Sequence, residues 1–208
     1  MKKTTVVHLG NFKLFSLIRE NLIIVIFTLI FAFGVLTSCW LYSAGHFLKE
    51  TDFLLESLIS VRASSSFFKI FFYSFLLSFV FLFLTYLFGT SLLGLAFIPL
   101  VLFFRGAISG LLLCGLYSGY SISGIAFNLL TIIPGTIIAV LALISASNCC
   151  LNLSYSLGKM VLNEGKALYK IDIKMFIKSF AVLLFVTIIA SLLETLLSLS
   201  FQKFFIMG

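Results

Sequence analysis

Long uncharged apolar runs alternate with short charged stretches along this chain. Ile70 to Phe104 is 35 residues without a charge and Gly106 to Gly158 is 53, with Arg105 alone between them. A helix rising about 1.5 Å per residue crosses the hydrocarbon core of a bilayer in about 20 residues. These two runs therefore hold three spans. One apolar run before them and one after bring the set to about 22–42, 70–88, 92–116, 125–151 and 179–201. The pattern predicts an all-α integral membrane protein with about five transmembrane helices, built as a single polytopic domain over residues 1–208.

The breaks carry their own signals. Gly89-Thr-Ser-Leu-Leu-Gly94 reads as a turn, leaving residues 89–110 as either a straight span or a broken, re-entrant helix. Gly115 to Gly124 is small, polar and aromatic, and predicts a second turn at an interface. Residues 43–69 form the first sizeable loop, in which basic and acidic residues cancel. Phe47, Leu54, Leu58 and Val61 share one helical face there, so the loop reads as an amphipathic helix. It would rest on lipid or on the bundle, or dock a partner through Phe47, Phe53, Leu54 and Leu58. Phe12, Leu14, Phe15 and Leu17 lie at near-helical spacing in the basic head, which fits a helix on the membrane surface.

Basic residues set orientation. The head carries Lys2, Lys3, Lys13 and Arg19, and the amphipathic segment 152–178 carries Lys159, Lys166, Lys170, Lys174 and Lys178. Four spans separate the two, so both fit a cytoplasmic face. The N-terminus is then cytoplasmic, and the 43–69 loop and the C-terminus are extracytoplasmic.

Composition narrows the class further. The chain is 62% apolar and 10% charged, with a mean hydropathy of +1.23, whereas a soluble domain runs at about 25% charged. The net charge of +7 lies beside the spans, where it meets anionic lipid, so it does not point to nucleic acid. The 26 phenylalanines read as apolar filler.

Candidate chemistry is sparse. The cysteines at 39, 114, 149 and 150 form no CxxC pair and no metal-ligand spacing. Leu36-Thr-Ser-Cys39 is similar to a bacterial lipobox, which would make Cys39 a lipidated N-terminus. Trp40 directly after it fits poorly, and the favoured reading is a cysteine inside an uncleaved span. Only His8 and His46 are available as imidazoles, and no HExxH, GxSxG or phosphate-binding loop occurs. The reading is a non-enzyme without cofactor or metal.

Arg105 and Glu194 are the ionisable residues well inside spans. A charge at the bilayer centre costs several kcal/mol on insertion scales, roughly 3 for arginine, so such groups pair or face a wet cavity. Arg105 is expected to meet Glu194, Asn128 or carbonyls freed by Pro134. In the milder reading Glu194 reaches water at the outer end and Arg105 snorkels or caps a broken helix. Pro99 and Pro134 flank the charge and predict irregular buried backbone. Gly106-Ala-Ile-Ser-Gly110 has the GxxxG spacing that lets helix backbones approach. It is read as packing within the chain in preference to dimerisation, with a homo-oligomer left open.

Leu87-Phe-Gly-Thr-Ser-Leu-Leu-Gly-Leu-Ala-Phe-Ile-Pro99, followed by Phe103-Phe-Arg-Gly-Ala-Ile-Ser-Gly-Leu111, resembles the core of the stage II sporulation protein M family. Gly124-Ile-Ala-Phe-Asn-Leu-Leu-Thr-Ile-Ile-Pro-Gly-Thr136 resembles that family's next helix with its late proline. The resemblance implies a polytopic, non-catalytic scaffold of endospore engulfment. It would hold a glycan-strand-cleaving enzyme and an amidase or endopeptidase at the septum or the mother-cell engulfing membrane. The alternative is a permease subunit of an ABC-type transporter, with 152–178 as the segment coupled to a cytoplasmic ATPase. That alternative requires a polar path past Arg105, Asn128 and Thr131.

Overall fold

A computed structural model of the chain describes residues 10–44, 66–162 and 173–205. These residues are almost wholly helical: α1 (Gly10–Ser43), α2 (Phe67–Gly89), α3 (Gly94–Phe127), a π-helical turn (Asn128–Ile132), α4 (Ile133–Leu162) and α5 (Ile173–Phe205). Five stretches are long and apolar enough to cross a membrane: Leu22–Ser43, Phe67–Gly89, Gly94–Ser118, Gly124–Gly158 and Phe176–Phe201. The chain is thus an all-α protein with five helices of spanning length. Residues 10–21 continue the helix of the first span, so a separate surface helix in the head is not what forms. The loop residues Phe47, Phe53, Leu54 and Leu58 lie outside the described residues.

Contacts fix the relative directions. Gly34 of α1 lies against Phe103 and Ala107 of α3, and Val35 and Ser38 lie against Gly110, so these two helices run in the same direction. Gly94 at the start of α3 lies against Ser154 near the end of α4, so those two run in opposite directions. Tyr86 near the end of α2 packs its ring 4.8 Å from Phe176 and 4.7 Å from Phe180 at the start of α5. Its hydroxyl donates to Ser179 Oγ at 3.1 Å.

The two connections that fall within the described residues are built differently. The 89–94 connection is a short turn. The Ser91 amide donates to the Phe88 carbonyl and the Gly94 amide to the Ser91 carbonyl, while Ser154 Oγ of α4 reaches across to the Ser91 carbonyl at 2.8 Å. Gly89 seats this turn on Cys150, since an added Cβ would lie 2.5 Å from the Cys150 Cβ. From Gly94 the helix runs unbroken through Pro99, so 89–110 is neither broken nor re-entrant. At 115–124 the expectation of a non-helical turn is not met: helical hydrogen bonding continues to Phe127 and into the π turn. Even so, the path reverses. Ser109 and Ile144 line one cavity, although a straight helix would hold them about 50 Å apart. Local bonding stays helical while the chain folds back.

The interior of the bundle mixes an apolar core, with Leu82, Ile98 and Leu102 fully buried, with small hydroxyl residues, while many large apolar side chains face outward. Phe68, Phe72, Phe185 and Trp40 are exposed, whereas Thr85, Thr131, Ser147, Ser154 and Thr195 are fully buried. Lipid tails are as apolar as leucine, so an outward-facing phenylalanine or tryptophan costs little. Small residues bring backbones into contact and hydroxyls find partners there. The phenylalanines are more ordered than filler. Phe67, Phe71, Phe75, Phe79 and Phe83 recur every fourth residue on α2, with successive ring centroids 6.3, 6.1, 5.7 and 6.0 Å apart. Side chains four apart on a helix lie one above another, which makes these rings a continuous ladder.

Candidate functional site

Among the described glycines, the tightest approaches to another helix's backbone lie at the joint between α1 and α3. A Cβ added at Gly106 would fall on the Phe31 carbonyl oxygen, and one at Gly110 would lie 2.6 Å from the Val35 carbonyl oxygen. Gly34 answers from α1, where an added Cβ would meet the Phe103 carbonyl oxygen. Gly106 and Gly110 are therefore occupied by α1 of the same chain. Cys39 belongs to this joint as well, with its thiol 3.6 Å from the Gly110 carbonyl. Cleavage ahead of Cys39 would remove Gly34 and most of the joint, which disfavours the lipobox reading.

Arg105 is one position before Gly106 and so points about 100° away from α1. It is 3% exposed, with its guanidinium carbon 5.8 Å from the centroid of the Phe81 ring on α2. That is within cation–π range. Arg105 lies 11 residues beyond Gly94, about 17 Å along the helix and so near mid-membrane. It does not snorkel and does not cap a break.

Glu194 is 5% exposed, so it does not simply reach outer water. It sits opposite Gly135, where an added Cβ would lie 2.7 Å from the Glu194 Cβ and 2.9 Å from the Ala190 carbonyl oxygen. Arg105 and Glu194 each have further interaction partners inside the bundle.

Pro134 explains the π turn. It lacks an amide hydrogen, and its ring clashes with the carbonyl four residues back. The preceding turn widens, and the Ile133 amide donates to the Asn128 carbonyl five residues back. A π turn is often a site marker, and this one places Asn128 (4% exposed) and Thr131 (0%) inside the bundle. Pro99 is the sixth residue of α3, inside the helix, and the helix continues through it, so the irregular backbone expected there does not form.

A second polar feature was not read from the sequence. On α5, Thr187, Ser191, Glu194, Thr195 and Ser198 are all buried on one face. Their spacing of three and four residues was the available signal. The hydroxyls are tied locally: Ser191 Oγ donates to the Thr187 carbonyl at 2.8 Å, and Thr195 Oγ1 to the Ser191 carbonyl at 2.7 Å. Thr85 and Thr131 bond back in the same way, at 2.9 and 2.6 Å. Each of these hydroxyls is satisfied within its own helix. Among the described residues no cluster of His, Cys, Asp and Glu could hold a metal ion.

No curated protein and no solved structure matches the chain. The sequence profile of stage II sporulation protein M matches residues 24–199. That match takes in every span and both connections just described, from the α1–α3 joint to the buried face of α5. With five spanning helices and most of its length under that profile, this chain belongs to the stage II sporulation protein M family and is a multi-pass membrane protein of sporulation.

Proposed function

We propose that the protein is a non-catalytic membrane scaffold that positions extracytoplasmic peptidoglycan hydrolases during endospore formation, in the septal and then the engulfing membrane. The observation that carries this reading is the family match across residues 24–199. The buried hydroxyls tied to their own helices agree with a structural bundle. The 43–69 loop, with Phe47, Phe53, Leu54 and Leu58, is the proposed docking face for a glycan-strand-cleaving enzyme and an amidase or endopeptidase. The permease alternative is not favoured. Arg105, Asn128 and Thr131 are buried, Thr131 bonds its own helix, and the cavity that Asn128 lines is otherwise almost entirely apolar.

Crosslinked co-purification from native membranes tests this reading. Exported wall hydrolases are expected to come with the wild-type chain. Changing Phe47, Phe53, Leu54 and Leu58 together to serine is expected to cut their recovery about tenfold or more, since a few anchors carry most of an interface. Membrane insertion should be unchanged. Full recovery of hydrolases with that variant would refute the docking face, and recovery of a cytoplasmic ATPase in their place would overturn the scaffold.

A further inference from the structure

A cavity of about 380 Å³ lies between α1, α3 and α4. Its walls are Thr28, Phe31 and Val35 on α1, Ser109, Leu112 and Leu113 on α3, and residues from Asn128 to Ile144 on the π turn and α4. One turn of helix, about 10 Å across and 5.4 Å long, fills about 420 Å³, more than this cavity offers. A helix does not fit such a slot, whereas one hydrocarbon chain does. The slot opens sideways, since Thr28, Ile137 and Leu141 on its walls are exposed at the surface of a spanning segment. Apolar cavities of this kind do not hold water, and the medium at its mouth is lipid.

The polar groups on the wall say which end of a ligand lies where. Thr28 Oγ1 donates to the Ile24 carbonyl, Ser109 Oγ to the Arg105 carbonyl and Thr136 Oγ1 to the Ile133 carbonyl, at 2.8, 3.0 and 2.9 Å. Their protons are used. Asn128 differs: it is 4% exposed, lines the cavity, and among the described residues its carboxamide is not tied back to its own helix. A carboxamide offers two donors and an acceptor, and burying it without a partner is costly. Asn128 is four residues past Gly124, where the apolar stretch begins, about 6 Å along the helix from that end. It marks the polar end of the slot, whose wall from Ile132 to Ile144 is apolar apart from Thr136.

We propose that this cavity holds one acyl chain of a glycerophospholipid, with the Asn128 amide donating to its ester carbonyl. The lipid wedges between α1 and α4, whose direct contact is slight, and completes the bundle on that side. The site is independent of the docking loop and of the scaffold reading.

The test uses the full chain reconstituted in vesicles with a phospholipid that carries a diazirine in its acyl chain, followed by peptide mapping of the photolabel. In the wild type, label is expected to concentrate on residues 109–113 and 128–144, several-fold above the exposed α2 face at Phe68 and Phe72. Filling the slot with Val140→Phe should lower that label about tenfold. Asn128→Leu should lower it about fivefold, the loss of one hydrogen bond. Equal labelling of the slot and the α2 face in the wild type would reduce the site to ordinary surrounding lipid, whether or not the variants fold. Unchanged slot labelling in Val140→Phe would also overturn the proposal.

Discussion

Gly106→Ala is expected to destabilise the protein by about 3 kcal/mol, nearly as much as Gly106→Leu. The first added carbon already collides with the Phe31 carbonyl oxygen, and that atom belongs to the backbone of another helix, which cannot rotate away. Overpacking usually costs about 1–3 kcal/mol because side chains yield; here α1 must move as a body. Gly110→Ala should behave alike, since its added carbon would lie 2.6 Å from the Val35 carbonyl oxygen. Gly158 supplies the contrast. A Cβ there meets Leu92 Cδ2 at an ordinary 3.6 Å, and alanine is the better helix former by about 1 kcal/mol. Gly158→Ala should therefore be neutral or stabilising. Unfolding in mixed detergent measures all three, and a Gly106→Ala protein as stable as Gly158→Ala would show that the α1–α3 joint does not hold the fold.

The second large effect concerns the two charges inside the bundle. Arg105→Met and Glu194→Gln are each expected to cost about 3–5 kcal/mol, because removing one member of a buried pair strands the other. The proposal behind this is that the two groups compensate each other, α3 and α5 being in contact and both residues at most 5% exposed. The double variant should then lose clearly less than the sum of the singles. Two additive losses in the same unfolding assay would mean that each charge is held by separate partners.

Much of this architecture was legible in the chain. The five apolar runs match helices to within a few residues at most ends, because span length follows from bilayer thickness and little else. Pro134, Asn128, Arg105 and Glu194 stood out because polar groups and imino acids are rare in apolar runs. The buried face of α5 was harder to see. Serine and threonine are common in spans, and only their periodicity at 187, 191, 194, 195 and 198 distinguishes a packed face from scattered hydroxyls. The phenylalanine ladder on α2 was hidden for a related reason, since five members recurring every fourth residue are masked by Phe68, Phe72 and Phe81 between them. The reversal near 115–124 was readable as a change of direction. Its helical hydrogen bonding was not, because glycine, serine and tyrosine there suit an open turn equally well.

The buried polar face of α5 also bears on the order in which the protein is made. Synthesis runs from the N-terminus, so α5 reaches the membrane after the other four spans described. It brings a carboxylate and, within two turns of it, the four buried hydroxyls of Thr187, Ser191, Thr195 and Ser198. A translocon that released α5 alone would expose that polar face to lipid. By then α1 to α4 have been delivered, with Gly135 leaving the recess that Glu194 enters. The earlier spans thus serve as the receiving surface for the last one, and a ribosome that stalls before residue 173 leaves a four-helix intermediate with its polar seam open to lipid.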